Sequence, residues 1–288
     1  MWKKSLFVIL IISLVLALTP NASVQNVNSS CSITNMYACQ DNQAHNYAIK
    51  SAQQPKTKIG SFTTYFANEQ GNRAYNIRLS ASKLNGITVA SGAKLSFNAV
   101  VGARTEENGY RRANVIVGGK YVKGYGGGVC QVSTTLYNAW VLAGLDVEKV
   151  QGHSLPSSYV ELSRDATVSE HIDLVLLNTS TQSVDISCEV VGGSICINVY
   201  GIKGEYDYNI YTEILRVIEP EILPDIEIVV EGEGSDEYEI CQGSCGYLSR
   251  AVIEVKQQGK LVMRRQLRRD YYMPINSQRI HKIKSHKS

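Results

Sequence analysis

The residues best equipped for chemistry lie in Gly124-Tyr125-Gly126-Gly127-Gly128-Val129-Cys130-Gln131-Val132-Ser133-Thr134-Thr135-Leu136-Tyr137-Asn138-Ala139. A lone cysteine follows three glycines almost directly. Val132, Leu136, Ala139, Trp140 and Ala143 then recur at helical spacing up to Gly144, a natural stop. The spacing predicts a helix over Val132 to Ala143, with Cys130 at or just before its start. Free backbone N–H groups at such a start lower a thiol pKa and can donate to a developing oxyanion. Gly126, Gly127 and Gly128 let the chain turn sharply and are expected to leave room for a substrate beside the sulfur. The run lacks both the GK[ST] ending of a phosphate loop and the GxGxxG of a dinucleotide site, so nucleotide binding is not indicated.

A thiolate nucleophile needs a base. His153 opens a second block, His-Ser-Leu-Pro-Ser-Ser-Tyr-Val-Glu-Leu-Ser-Arg-Asp-Ala-Thr-Val. It can reach the helix start only if a strand runs back along the helix. Asp165 is the candidate to orient the imidazole, and Arg164 to hold a substrate carboxylate, unless the two form a structural ion pair. His171 is the reserve base. A zinc site from Cys130, His153 and His171 fits no compact ligand spacing, so neither metal nor cofactor is expected.

The elements around these residues read as α+β. Strands are predicted at Lys58 to Tyr65, Ala113 to Val117, Asp173 to Leu177, Ser183 to Val190 and Ile195 to Tyr200, with a further helix near Asn76 to Leu84. Residues 201–288 read as a mostly β region with a hairpin around Gln257 to Lys260. Charge there is segregated: 12 acidic and 2 basic residues from Gly201 to Ile240, against 10 basic and 1 acidic from Lys256 to Ser288. Strand alternation scatters Arg264, Arg265, Arg268 and Arg269 over two faces, which favours paired strand sets over a polymer-binding patch.

Lys3 and Lys4 precede an almost unbroken apolar run of 13 residues, Leu6 to Leu18, which Thr19-Pro20 ends. A bilayer needs about 20, so residues 1–23 read as a signal peptide, with an uncleaved anchor as the alternative. Either way the body of the protein is expected outside the cytoplasmic membrane, with membrane attachment through the N-terminus as an option. Residues 24–58 are an Asn/Ser/Gln-rich spacer. The chain's net charge of +3 falls to about +1 without Lys3 and Lys4, which gives nucleic-acid binding little electrostatic support. Seven cysteines in an exported chain suggest three local disulfides. These are Cys31 with Cys39, Cys188 with Cys196 across a hairpin centred on Gly192, and Cys241 with Cys245, leaving Cys130 alone.

Gly126 to Leu145, His153 to Val168 and, upstream, Asn76-Ile77-Arg78-Leu79, Asn85-Gly86, Ser91-Gly92 and Ser96-Phe97-Asn98 with Val101-Gly102 resemble the VanW domain over residues 59–200. Ser91-Gly92 stands where that family usually has Pro-Gly. Asp270-Tyr271-Tyr272-Met273-Pro274 is similar to the ending of the glycine-patterned β-module that exported members carry, here abbreviated. The family takes its name from vancomycin-resistance clusters, and some clostridial relatives are L,D-transpeptidases whose motif cysteine corresponds to Cys130. The resemblance implies a VanW-type domain with Cys130 as its nucleophile, and together with the reading of the residues above the expected catalytic set is Cys130, His153 and Asp165. Gly126, Gly127, Gly128, Gln131, Ser133, Tyr159 and Arg164 are then the expected substrate contacts. The implied activity is cysteine acyl transfer on peptidoglycan stem peptides, forming 3-3 cross-links. Hydrolysis by the same thiol and non-catalytic wall binding are the alternatives.

Overall fold

The computed structural model describes residues 55–67, 71–117, 120–231 and 237–285. The expected signal segment, most of the spacer, and Cys31 and Cys39 lie outside the described residues.

The chain runs through β1 (Thr57–Tyr65), α1 (Asn72–Leu84), β2 (Thr88–Val89), β3 (Lys94–Ser96), α2 (Phe97–Val101), β4 (Arg112–Val117), β5 (Lys120–Tyr125) and α3 (Val129–Leu142). It continues through β6 (Asp146–Lys149), β7 (Val175–Leu177), β8 (Val184–Val191) and β9 (Ser194–Gly201). The C-terminal region adds β10 (Tyr206–Ile218), β11 (Ile226–Glu231), β12 (Glu237–Cys241), β13 (Gly246–Gln257), β14 (Lys260–Tyr272) and β15 (Gln278–Ser285). Strands dominate, and the helices are few.

A four-stranded sheet in the order β1-β9-β8-β2 carries α3 on one face. Contact is closest at Gly60, where an added Cβ would lie 2.2 Å from the Ala139 carbonyl and 2.8 Å from the Ala143 Cβ. Ile195, Ile197 and Val199 of β9 alternate inward with Val184 and Ile186 of β8, and these five meet Val132, Leu136 and Trp140 of α3 in one core. Sheets β3-β7-β6 and β10-β13-β14 and the hairpin β4-β5 complete the surroundings. In the last sheet, β11-β15-β12, β15 is parallel to β11 and antiparallel to β12.

α3 is buried nearly all round, including Gln131, Ser133, Thr134, Thr135 and Asn138. Each of these polar groups has a partner, as burial demands. Thr135 bonds Thr64 of β1 at 2.8 Å, whereas Ser133, Thr134 and Asn138 bond the segment that follows β6.

The expected Cys188–Cys196 disulfide does not form. Gly192-Gly193 makes a two-residue turn that pairs Val191 with Ser194, so Cys188 stands opposite Ile197 and Cys196 opposite Glu189. Paired residues share a face, so the one-residue offset puts the two thiols on opposite faces of the sheet. Cys188 packs against the core, while Cys196 lies beside Ser61 and Asn198. The expected Cys241–Cys245 bridge is absent too. Cys241 donates to the Asn276 carbonyl and Cys245 to Glu219, and both thiols are free.

Candidate active site

The arrangement is built on the polar side of α3. After β6 the chain turns, and an extended segment runs back along the helix. Asn138 donates to the Arg164 carbonyl at 2.7 Å, Thr134 accepts from the Ala166 N–H at 2.9 Å, and Val168 meets the Cys130 sulfur. Two extended residues advance about 6.7 Å and four helical residues about 6 Å, which is why alternate residues of the segment find every fourth residue of α3. The return is therefore an extended, unpaired segment rather than a strand.

Cys130 is the second residue of α3, and Gly128 is the N-cap with φ 108°. The amides on either side of Cys130 turn back onto glycine carbonyls, Val129 N–H to Gly126 and Gln131 N–H to Gly128, both at 3.0 Å. The Cys130 amide belongs to the helix's first turn, where N–H groups lack intrahelical acceptors. The thiol is half-buried, 3.4 Å from the Val168 carbonyl and 3.5 Å from the Val168 N–H.

His153 is buried, and its imidazole and the Cys130 thiol act on each other's protons. Its Nδ1 lies 2.6 Å from Asp165 Oδ2, so the nitrogen turned to sulfur is Nε2. The same carboxylate oxygen accepts the His153 backbone N–H at 2.6 Å. Burial alone would push the imidazole down, but Asp165 and Cys130 outweigh it and raise His153 to about 9. Burial alone would likewise raise the thiol. The His153 hydrogen bond and charge, the Val168 backbone and Arg104 prevail, and Cys130 sits below the ordinary thiol range. Asp165 is held down in the same way by His153, Arg268 and Tyr272. These directions describe a thiolate–imidazolium pair with a buried carboxylate behind it.

The other anticipated contacts are distributed differently. Gln131 and Ser133 are fully buried and spent inside the protein. Gln131 bonds Arg73, Thr64 and the Tyr65 carbonyl, and Ser133 donates to the Ala166 carbonyl at 2.6 Å. Arg164 stands beside Asn138, eight helical residues or about 12 Å along α3 from Cys130. Its guanidinium pairs with Glu161 at 3.0 Å and lies over the Phe62 ring, which is a structural role. The glycines make room for protein rather than ligand. An added Cβ at Gly126 would meet Arg104 Cγ at 2.6 Å, one at Gly127 the Asn114 carbonyl at 2.5 Å, and one at Gly128 the Arg73 carbonyl at 2.9 Å. Tyr159 does flank the site. Its hydroxyl lies among Ser157, Thr134 and Cys130, and burial keeps it protonated. His171, the reserve base, is exposed.

The comparisons with known proteins bear on this stretch. Residues 72–200 match the family model described as VanW like protein. This stretch is a VanW domain. The chain is 40% identical over 144 residues to the uncharacterized protein YoaR of Bacillus subtilis, covering 50% of this chain and 48% of that protein. It is 31% identical over 115 residues to the vancomycin B-type resistance protein VanW of Enterococcus faecalis, covering 38% of this chain and 42% of that protein. The chain thus spans less than half the length of either relative. No solved structure matches it.

The VanW stretch contains Cys130, His153 and Asp165, but two supports of Asp165 lie beyond it, on β14. Tyr272 donates to Asp165 Oδ1 at 2.5 Å and accepts the Ser163 N–H at 2.6 Å. Arg268 donates to the Asp165 carbonyl at 2.6 Å and is clamped by both oxygens of Asp270 at 2.7 and 2.8 Å. Sequence reading passed over both because they lie more than 100 residues from Asp165. The available signal was the Asp270-Tyr271-Tyr272-Met273-Pro274 ending. Arg104, whose charge acts on Cys130, and Arg73, bonded to the neighbouring Gln131, were missed too, since one arginine in a loop and one in α1 carry no local signature.

Proposed function

We propose that this protein is a cysteine acyltransferase acting on peptidoglycan stem peptides outside the cytoplasmic membrane, working as an L,D-transpeptidase. The observation that carries the reading is the buried chain from Asp165 through His153 to a Cys130 thiol held below its ordinary pKa. The link to the wall comes from the VanW domain and from a relative named for vancomycin resistance.

The steps follow from the charges. The Cys130 thiolate attacks the carbonyl carbon of the donor amide, and the carbonyl oxygen becomes an oxyanion facing the Cys130 N–H at the start of α3. The C–N bond breaks as His153 passes its Nε2 proton to the departing amine, leaving a thioester on sulfur. An amine from a neighbouring stem then attacks the thioester, His153 takes its proton, and an amide forms as the thiolate leaves. Asp165 holds the imidazole in the tautomer that presents Nε2. Water in place of the amine would make the same site a hydrolase.

The test is mass spectrometry of the purified protein with disaccharide-tetrapeptide muropeptides, beside Cys130→Ala. Loss of D-Ala with a Cys130-dependent adduct or cross-linked dimer supports the reading. Shortened monomers without dimers indicate hydrolysis. No change, with Cys130 confirmed reduced, indicates a binding module.

A further inference from the structure

We propose that Arg73 recognises a free carboxylate on the acyl donor, so that the site accepts peptides whose scissile amide precedes a terminal, carboxylate-bearing residue. The inference rests on the acyl-transfer reading and narrows it, because an internal peptide bond offers no such group.

Arg73 is positioned by the nucleophile's own helix. Its Nη2 donates to Gln131 Oε1 at 2.7 Å. Gln131, directly after Cys130, is fully buried, and its Nε2 donates to Thr64 Oγ1 at 3.0 Å and to the Tyr65 carbonyl at 2.9 Å. Both ends of the amide are therefore spoken for, and its oxygen has to face Arg73. The Arg73 stem lies against the N-cap glycine, where an added Gly128 Cβ would meet Arg73 Cγ at 3.1 Å. On the other side the guanidinium stands 5.8 Å from the centre of the Tyr159 ring, the residue whose hydroxyl lies near Cys130. The cation is thus fixed between the helix start and the aromatic wall of the site.

Among the described residues no carboxylate pairs with it. Among the described residues Arg164 pairs with Glu161, Arg250 and Arg264 with Glu213, Arg268 with Asp270 and Arg279 with Asp225. The described partners of Arg73 are an amide oxygen and an aromatic ring. A guanidinium has five donors in a fork that fits a carboxylate with two bonds, and Gln131 takes one. A half-buried, oriented arginine at the start of the nucleophile's helix, with no carboxylate partner among the described residues, suits an anionic group on the substrate. In the acylation step that group travels with the departing amine. The C–N bond breaks, sulfur takes the acyl carbon, His153 gives the amine its proton, and the carboxylate leaves from Arg73.

The test pairs two readouts on the full protein. In the first, Cys130 is alkylated with iodoacetate and with iodoacetamide, and the ratio of rates is followed by mass spectrometry. Arg73→Met is expected to lower the iodoacetate-to-iodoacetamide ratio about tenfold, the scale of one charge-assisted hydrogen bond, and Arg73→Lys to lower it less. In the second, tetrapeptide donors ending in a carboxylate or a carboxamide are compared. Wild type should favour the acid about tenfold or more in kcat/KM, and Arg73→Met should erase that preference. An unchanged ratio together with an unchanged preference overturns the proposal. If no donor acylates Cys130 but the alkylation ratio still falls, the acyl-transfer reading fails while the anion site at Arg73 stands. Should Arg73→Met not fold by far-UV circular dichroism, Arg73→Lys and Arg73→Gln carry the same comparison.

Discussion

The hydroxyl of Tyr272 donates to Asp165 Oδ1 at 2.5 Å across 107 residues of chain, and it is the C-terminal strand β14 that brings it there. Tyr272 is fully buried, and the Asp165 carboxylate and burial together keep its phenol protonated, so it can only donate to that oxygen. The opposite oxygen of Asp165 is given to His153. The C-terminal β-region is therefore part of the site's support, which is more than its sequence promised.

Tyr272→Phe removes that donor and strands the Ser163 N–H that the hydroxyl accepts. The expected cost is about 2 kcal/mol of stability, the scale of a hydrogen bond to a buried charge. Thermal unfolding measures it. Cys130 acylation should slow about tenfold in parallel, since a looser carboxylate holds the imidazole less firmly. Loss of stability with no change in acylation would show the contact to be structural only.

The charge pair sets a pH window. Alkylation of Cys130 by iodoacetamide should already be fast below the ordinary thiol range, because the sulfur is held down by His153 and Arg104. A second step is expected near pH 9, where His153 loses its proton. Turnover should fall through the same step, since the departing amine then has no proton donor. Stability follows by linkage. His153 is raised from its ordinary 6.5 to about 9, so its contribution is full below about 6.5 and is lost as pH rises through 9. Asp165 is lowered, so its contribution is present above its ordinary value and is lost as pH falls through its folded one. Unfolding midpoints of wild type and His153→Gln from pH 6 to 10 should converge toward the alkaline end.

Gly127→Ala is a probe of the turn that delivers Cys130. The added methyl would sit 2.5 Å from the Asn114 carbonyl and 2.8 Å from the Ala113 Cβ, so β4 or the turn must move. Overpacking of this kind costs about 1–3 kcal/mol. Acylation should drop more than stability does, because a shift of about 1 Å in a nucleophile costs on the order of a hundredfold in rate. Rates and unfolding midpoints measured on one preparation separate the two effects.

Cys188 and Cys196 should both remain alkylatable after unfolding in non-reducing buffer, since the hairpin register faces them apart. Peptide mapping that recovers them joined would mean a different register for β8 and β9.

The local elements were legible because they depend on near neighbours. Helical spacing after the glycines marked α3, whose start the structure sets three residues earlier at Val129 because Gly128, in a left-handed conformation, makes the cap. Alternation marked β1, β8 and β9, and a triplet of Cys130, His153 and Asp165 could be written down from residue types and order alone. A pairing register could not be read this way. A hairpin loop of odd or even length changes nothing in composition, yet it decides which face each thiol occupies, and the Gly192-Gly193 turn ruled out the expected disulfide.

Sequence by itself determined which groups could carry a charge or a proton. Tertiary structure alone decided which of them meet. An extended segment matching the rise of α3 two residues to four brings Val168 to Cys130 and Asp165 to His153. Burial removes the water that would otherwise screen these charges, and so a carboxylate, an imidazole and a thiol hold one another's protons. Arg164 shows the converse. Adjacent to Asp165 in the chain, it is carried away from Cys130, because successive side chains of an extended segment point to opposite sides. Arg73, Arg268 and Tyr272 come from distant elements, and no local pattern marks a residue whose partner is 58 to 107 positions away.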